Sequence, residues 1–235
     1  MTSSSTMAAS TVFSRLLSGP LTSLTVAHRS PDAWLLTTPE FPLAVSLVTP
    51  RAVLLPNSLV VSMMPPGSPL IRVGEGFLWY DDRPIPVHRW FSPPQVVRGA
   101  LPLSAAPPRR IRAFLAGWRD HLGKGEGLTP YGDDVICGAM LGLLAVDHQR
   151  AGWLSRQIRE TDLESRTTAV SAALLRCAAE GWCIPEFDRV LRALSAEGSA
   201  PGSVSALLDV GHSSGRGLLA GLARVVDVTS LGVAA

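Results

Sequence analysis

The chain has 235 residues, 46% of them apolar and 17% charged, with a formal charge of +2. That length buries one large core or two small ones without disulfides or a structural metal. So small a charge, with no window interleaving basic and aromatic residues, excludes nucleic acid as a partner, while a surface poor in charge points to cover by other protein subunits.

The longest apolar run, Val135 to Val146, spans 12 residues, against the eighteen or so that a membrane span needs, so no membrane partner is expected. Cys137, Cys177 and Cys183 make no CxxC pair and have no histidine at zinc-ligand spacing. They read as small buried hydrophobes of a reduced, cytoplasmic protein.

In chain order, residues 1–20 are rich in Ser and Thr and lack a clean apolar core, which predicts a disordered or loosely attached leader. Residues 21–92 break into short β-branched and aromatic runs, among them Leu24-Thr25-Val26, Ala33-Trp34-Leu35-Leu36, Leu43 to Val48 and Leu59-Val60-Val61. Pro, Gly, Asn and Asp punctuate them at about ten-residue intervals, the spacing of an all-β domain. Gly76 to Tyr80 and Ile85 to Trp90 flank Asp81-Asp82-Arg83-Pro84 as a hairpin. Residues 93–108 are a proline-rich connection, and residues 109–235 turn helical. The fold class is α+β, a β-barrel or sandwich-like half followed by a helical bundle.

In the helical part, Ile111, Phe114, Leu115, Trp118 and Leu122 form the stripe of an amphipathic helix over residues 109–122. Its other face, with Arg110, Arg112, Arg119 and Asp120, reads as solvated. A helix from Asp134 to about Arg150 is apolar nearly all round and therefore buried, with Gly138 and Gly142 four apart to admit another helix closely. Further helices are expected over Leu163 to Ala179, Pro185 to Leu194, from Pro201 onward, and over Leu218 to Val226.

Two glycine-rich stretches lead into helices. The first, Gly123-Lys124-Gly125-Glu126-Gly127-Leu128-Thr129-Pro130-Tyr131-Gly132-Asp133-Asp134, places four glycines in ten residues and holds the only lysine in the chain beside twenty arginines. Alternate glycines let backbone N–H groups turn toward one point, the geometry of an anion-holding nest. Asp133 is placed to cap the helix that follows. The second stretch is Gly211-His212-Ser213-Ser214-Gly215-Arg216-Gly217, where Ser213 or Ser214 caps a helix or, with Arg216, helps bind an anion.

An anion beside Asp133 and Asp134 meets repulsion, roughly 3 kcal/mol for a carboxylate about 5 Å away at an effective dielectric near 20. Three resolutions exist: the carboxylates turn away as caps, a divalent cation at Asp133 and Asp134 bridges them to the ligand, or the ligand brings N–H donors as well as its anionic end. No cofactor motif is present: the P-loop spacing G-x-x-x-x-G-K-[ST] is missing, which excludes nucleotide binding of that kind. No G-x-S-x-G elbow supports a nucleophile. His212 is carried as a catalytic candidate, although a lone histidine in a glycine turn is more often structural.

The Gly123 to Asp134 motif, followed late in the chain by Gly-His-Ser-Ser-Gly at Gly211 to Gly215, resembles a bacterial family of unknown function that includes the AllH-type subunit of oxamate carbamoyltransferase. That enzyme belongs to anaerobic allantoin and purine breakdown, and the likeness runs from about Leu21 onward, more loosely through the Pro56-Asn57-Ser58 turn. The resemblance implies a subunit of a multi-subunit enzyme moving a carbamoyl group between oxamate and phosphate. Its ligands would be a small anionic amide or carbamoyl phosphate. On that reading Lys124, Gly125 and Gly127 hold the anionic group, Thr129 and Asp133 or Asp134 orient the amide, and Ser213, Ser214 and Arg216 complete the pocket. The family pattern tends to carry proline at Glu126, serine at Tyr131 and aspartate at Gly217, departures that imply another substrate or lost activity. A non-catalytic subunit that docks a partner through the glycine loop is the alternative; a metal-dependent hydrolase using both aspartates is the third.

Overall fold

A computed structural model of the chain describes residues 7–102, 108–195 and 202–231. The chain divides into two compact units, Met1–Pro93 and Pro94–Ala235.

The first unit is a closed eight-stranded barrel of β1 (Met7–Ser10), β2 (Thr22–Arg29), β3 (Ala33–Thr38), β4 (Phe41–Val48), β5 (Ser58–Val61), β6 (Ile71–Gly74), β7 (Phe77–Tyr80) and β8 (Arg83–Phe91), in the order β1-β5-β4-β3-β2-β6-β7-β8. Neighbours are antiparallel except β4 with β5 and β1 with β8, which are parallel. Closure leaves no sheet edge to template pairing with another chain. Leu36, Val45, Leu47, Leu59, Val73 and Leu78 are fully buried in its core. The expected hairpin forms between β7 and β8, with Asp81 and Asp82 at its turn and Asp81 at φ 53°.

Much of the sequence expected as a loose leader is part of this barrel. Residues 7–10 form β1, which pairs with both β5 and β8, and a short 3-10 turn (Thr11–Phe13) leads into α1 (Ser14–Ser18) with Phe13 and Leu17 fully buried. Hydroxyl-rich composition hid this, because a buried Ser is tolerated when it is hydrogen-bonded. The Ser10 Oγ donates to the Pro56 carbonyl oxygen at 2.6 Å. Residues 1–6 of that leader lie outside the described residues.

The second unit is helical: α2 (Pro108–His121), α3 (Tyr131–Ala145), α4 (Ala151–Glu160), α5 (Ala169–Ala179), α6 (Pro185–Ser195), α7 (Ser203–Leu208) and α8 (Ser214–Ala223). Its centre is α3, buried at every position from Gly132 to Ala145, as its all-round apolar sequence requires. The expected connection is partly built into this unit. Val96 and Leu101 are buried, the Val96 N–H donates to the Gly181 oxygen and the Leu101 N–H to the Ala145 oxygen.

Several boundaries differ from the sequence expectation. The buried helix begins at Tyr131, because Pro130 holds φ near −50° just before the first turn, and it ends at Ala145. Helix α4 was not foreseen; its inward residues Ala151, Leu154, Ser155 and Ile158 include a serine whose hydroxyl is satisfied by the Ala179 carbonyl. Helix α5 starts at Ala169 where Thr168 caps it by accepting from the Ser171 N–H. The expected helix start at Pro201 lies outside the described residues. No helix among the described residues is long and apolar enough to cross a membrane.

Helix α8 lies against α3 at backbone distance. A Cβ at Gly138 would sit 2.0 Å from the Leu218 oxygen, and one at Gly221 would sit 2.1 Å from the Val135 oxygen. Only glycine at both positions allows this approach, since neither backbone can yield. Gly138→Ala is therefore expected to destabilise the helical unit by about 3 kcal/mol or more, lowering its thermal midpoint by roughly 10 °C. Gly152→Ala, in α4 with open space around it, should instead raise stability by about 0.5–1 kcal/mol. Calorimetry of the two variants checks both.

Candidate functional site

The close seating of α8 on α3 brings the two glycine-rich stretches together. Thr129, midway along the first, and Ser214, at the start of α8, share a hydrogen bond of 2.7 Å between their hydroxyls. Asp134, in the first turn of α3, is 4% exposed beside them.

The loop from Gly123 to Thr129 stands out from this junction. Gly123, Gly125 and Gly127 have φ of 70°, 119° and 89°, a backbone region that residues with a Cβ rarely enter. The loop's base is closed by protein: the Lys124 N–H donates to the His121 oxygen and the Lys124 oxygen accepts from the Gly132 N–H at 2.7 Å. Its crown is open. Residues 124–128 are exposed, and the N–H groups of Gly125, Glu126, Gly127, Leu128 and Thr129 have no acceptor among the described residues.

The two aspartates have separate roles. Asp133 is 1% exposed, and both of its oxygens are taken: one accepts the Gly123 N–H at 2.7 Å and the other the Thr167 hydroxyl. It does not cap α3, whose first turn has no side-chain cap. It instead ties the loop base to the segment before α5. A second tie runs from the Thr168 hydroxyl to the Leu128 carbonyl. Thr167 and Thr168 escaped the sequence reading; the cap spacing of Thr168 to Ser171 was their one local signal.

Asp134 has a buried oxygen, Oδ2, with no hydrogen-bond partner. Burial pushes its carboxyl up to about 7; the Ser214 hydroxyl opposes the rise and the neighbouring Asp133 carboxylate adds to it. A carboxyl in this state exchanges a proton near neutral pH, the property expected of an acid or base in catalysis. It also relieves the repulsion foreseen between an anion and this helix start, because a protonated carboxyl is an uncharged donor.

The other sequence candidates sort plainly. Lys124, Gly125 and Gly127 are exposed on the open loop, and Thr129 and Ser214 join it to α8. Ser213 occupies the cap position of α8 without a side-chain cap bond, so neither serine caps it: Ser214 is turned to Thr129. His212 and Arg216 are exposed, one on either side of these serines in sequence. Among the described residues, no three His, Cys, Asp or Glu side chains are grouped as a metal site requires. A divalent cation shared by both aspartates would have to displace the donors that Asp133 already accepts from. Cys137, Cys177 and Cys183 are buried free thiols, and burial raises each above its ordinary range. A groove of about 480 Å³ lined by Ile111, Leu115, Trp153, Arg112 and Arg150 shares no residue with the glycine loop.

Two of the departures from the family pattern meet here. A Cβ at Gly217 would lie 2.6 Å from the Asp134 Cβ, 3.0 Å from the Tyr131 oxygen and 3.4 Å from the Tyr131 Cδ2.

The raised carboxyl fixes a pH dependence. Below about pH 3.8 the group holds its proton whether the chain is folded or not, and folding loses nothing. Between that value and about 7 the unfolded chain gives up the proton first, so stability falls by up to about 1.4 kcal/mol per pH unit and levels off above 7. The whole loss is roughly 4 kcal/mol, the penalty for holding a carboxylate nearly out of water. Asp134→Asn should remove this slope, matching the parent at pH 4 and melting higher at pH 8; thermal midpoints across that range check it.

The family model described as oxamate carbamoyltransferase subunit AllH matches residues 121–226. The matched span holds the glycine loop, α3 and α8, and it is the family that the two motifs resemble. No solved structure matches the chain.

Proposed function

We propose that the chain is a subunit of a carbamoyltransferase-like enzyme acting on a small anionic amide, of the oxamate or carbamoyl phosphate type, in cytoplasmic nitrogen catabolism of purines or allantoin. The observation that carries this reading is the Asp134 carboxyl, whose buried Oδ2 lacks a partner and which titrates near neutrality beside a loop of unsatisfied backbone N–H groups. Such a pairing suits a ligand with an anion at one end and an amide at the other.

The N–H groups of residues 125–129 and the Lys124 ammonium take the anionic end, stabilising charge without reorganising. Asp134 faces the amide nitrogen, with the Thr129 and Ser214 hydroxyls beside it. In the direction that makes carbamoyl phosphate, a phosphate oxygen bonds to the carbamoyl carbon as the carbon–nitrogen bond to the oxamate nitrogen breaks, and protonated Asp134 gives its proton to that nitrogen. In the reverse direction the nitrogen attacks, phosphate leaves, and Asp134 takes the proton back. Alignment and charge stabilisation then supply most of the acceleration, with no covalent enzyme intermediate. His212, Ser213 and Arg216 stand at the edge of this arrangement as secondary binding groups.

The test is turnover of oxamate and carbamoyl phosphate by the chain together with its partner subunits. Asp134→Asn should lower kcat by about 10²–10⁴-fold, the span typical of a lost acid–base group. Lys124→Ala should raise KM about tenfold, equivalent to roughly 1.4 kcal/mol of binding. Turnover unchanged in both variants removes the reading. Exposed Leu128 and Tyr131, at 44% and 41%, favour a second reading, a non-catalytic subunit whose loop docks another protein. That reading expects a stoichiometric partner and no affinity of the isolated chain for oxamate.

A further inference from the structure

Asp134 is nearly dry although it sits in the first turn of a helix whose preceding loop is open to solvent. Something must shut water out on that side. Side chains on a helix lean toward its N-terminus, so Asp134 lies over the turn that begins with Tyr131, three positions earlier on the same face.

Tyr131 is held there by two glycines. A Cβ at Gly125 would meet the Tyr131 N at 2.7 Å and its Cβ at 3.2 Å, and a Cβ at Gly217 would lie 3.4 Å from the edge of its ring while crowding the Asp134 Cβ at 2.6 Å. A side chain at Gly125 would press on the tyrosine's backbone and Cβ, while one at Gly217 would crowd Asp134 and touch the ring at contact distance. Tyr131 is 41% exposed and Asp134 is 4% exposed, so the tyrosine borders solvent where the carboxyl three positions on does not.

We propose that Tyr131 is a positioning residue: its ring, bordering the space left by Gly217, covers the Asp134 carboxyl and keeps water from it until a ligand's amide arrives. This rests on the function above only for the identity of the ligand; the cover itself is a property of the chain alone. Other groups also act on Asp134. On α3 this is Asp133, and α8 offers the Ser214 hydroxyl; no charged group from α2, α4 or α5 moves it.

The experiment follows the carboxyl band of Asp134 by infrared difference spectroscopy during a pH titration of the full chain, with Asp134→Asn identifying the band. Tyr131→Phe and Tyr131→Leu, which keep a bulky apolar cover, should hold the titration midpoint within about 0.3 pH units of the parent. Tyr131→Ala and Tyr131→Ser should lower it by one unit or more, toward an ordinary aspartate. Having two small replacements guards against one that does not fold. Midpoints of the Ala and Ser variants that stay with the parent overturn the proposal, as does a parent midpoint near 4. Oxamate titrations of the same proteins separate the two ideas: a midpoint that moves as expected in a chain with no oxamate affinity, even with its partner subunits, leaves the cover standing and removes the proposed activity.

Discussion

The contact on which the site depends is the glycine-to-carbonyl packing of α3 against α8. With Gly138 under the Leu218 oxygen and Gly221 under the Val135 oxygen, the two helix backbones come closer than side chains would allow. Few degrees of freedom remain once two helices are seated backbone to backbone. Their starts are then fixed side by side, and with them Thr129, Asp134 and Ser214, which come from segments 85 residues apart at the Thr129–Ser214 bond.

Within that junction, two adjacent aspartates are given opposite environments. Asp133 accepts hydrogen bonds at both oxygens and holds the loop to the segment before α5. Asp134, one residue on, is turned about 100° around the helix and finds burial with an oxygen left over. Leaving a buried polar atom unpaired works against folding, and proteins retain such groups where they serve a site. The pair divides one motif, the first acid holding the backbone in shape and the second left buried with an unpaired oxygen.

The parts of this arrangement that repeat along the chain were legible in the sequence. The stripe of Ile111, Phe114 and Trp118, the all-round apolar run from Val135, and the strand runs of the barrel follow from local spacing, and Gly138 was readable as a point of close approach. Partnerships across long separations were not. Asp133 has the local pattern of a helix cap, and only Thr167, 34 residues away, turns it into a tether. The leader was misread because Ser10 and its neighbours carry the composition of a solvated tail, while the acceptor that permits their burial is Pro56. Helix α4 escaped because a serine interrupts its apolar stripe, satisfied by a carbonyl from α5. In each case the missing term was a hydrogen-bond partner that sequence spacing does not supply.

The barrel seam has a bearing on how the chain comes to be folded. Its closing pair joins the first described strand, Met7–Ser10, to the last, Arg83–Phe91, in parallel. The seam therefore cannot zip until nearly the whole unit has left the ribosome. Contacts this distant in sequence make for slow folding, and during synthesis the edge of β1 that will meet β8 waits unpaired, open to mispairing or to a chaperone.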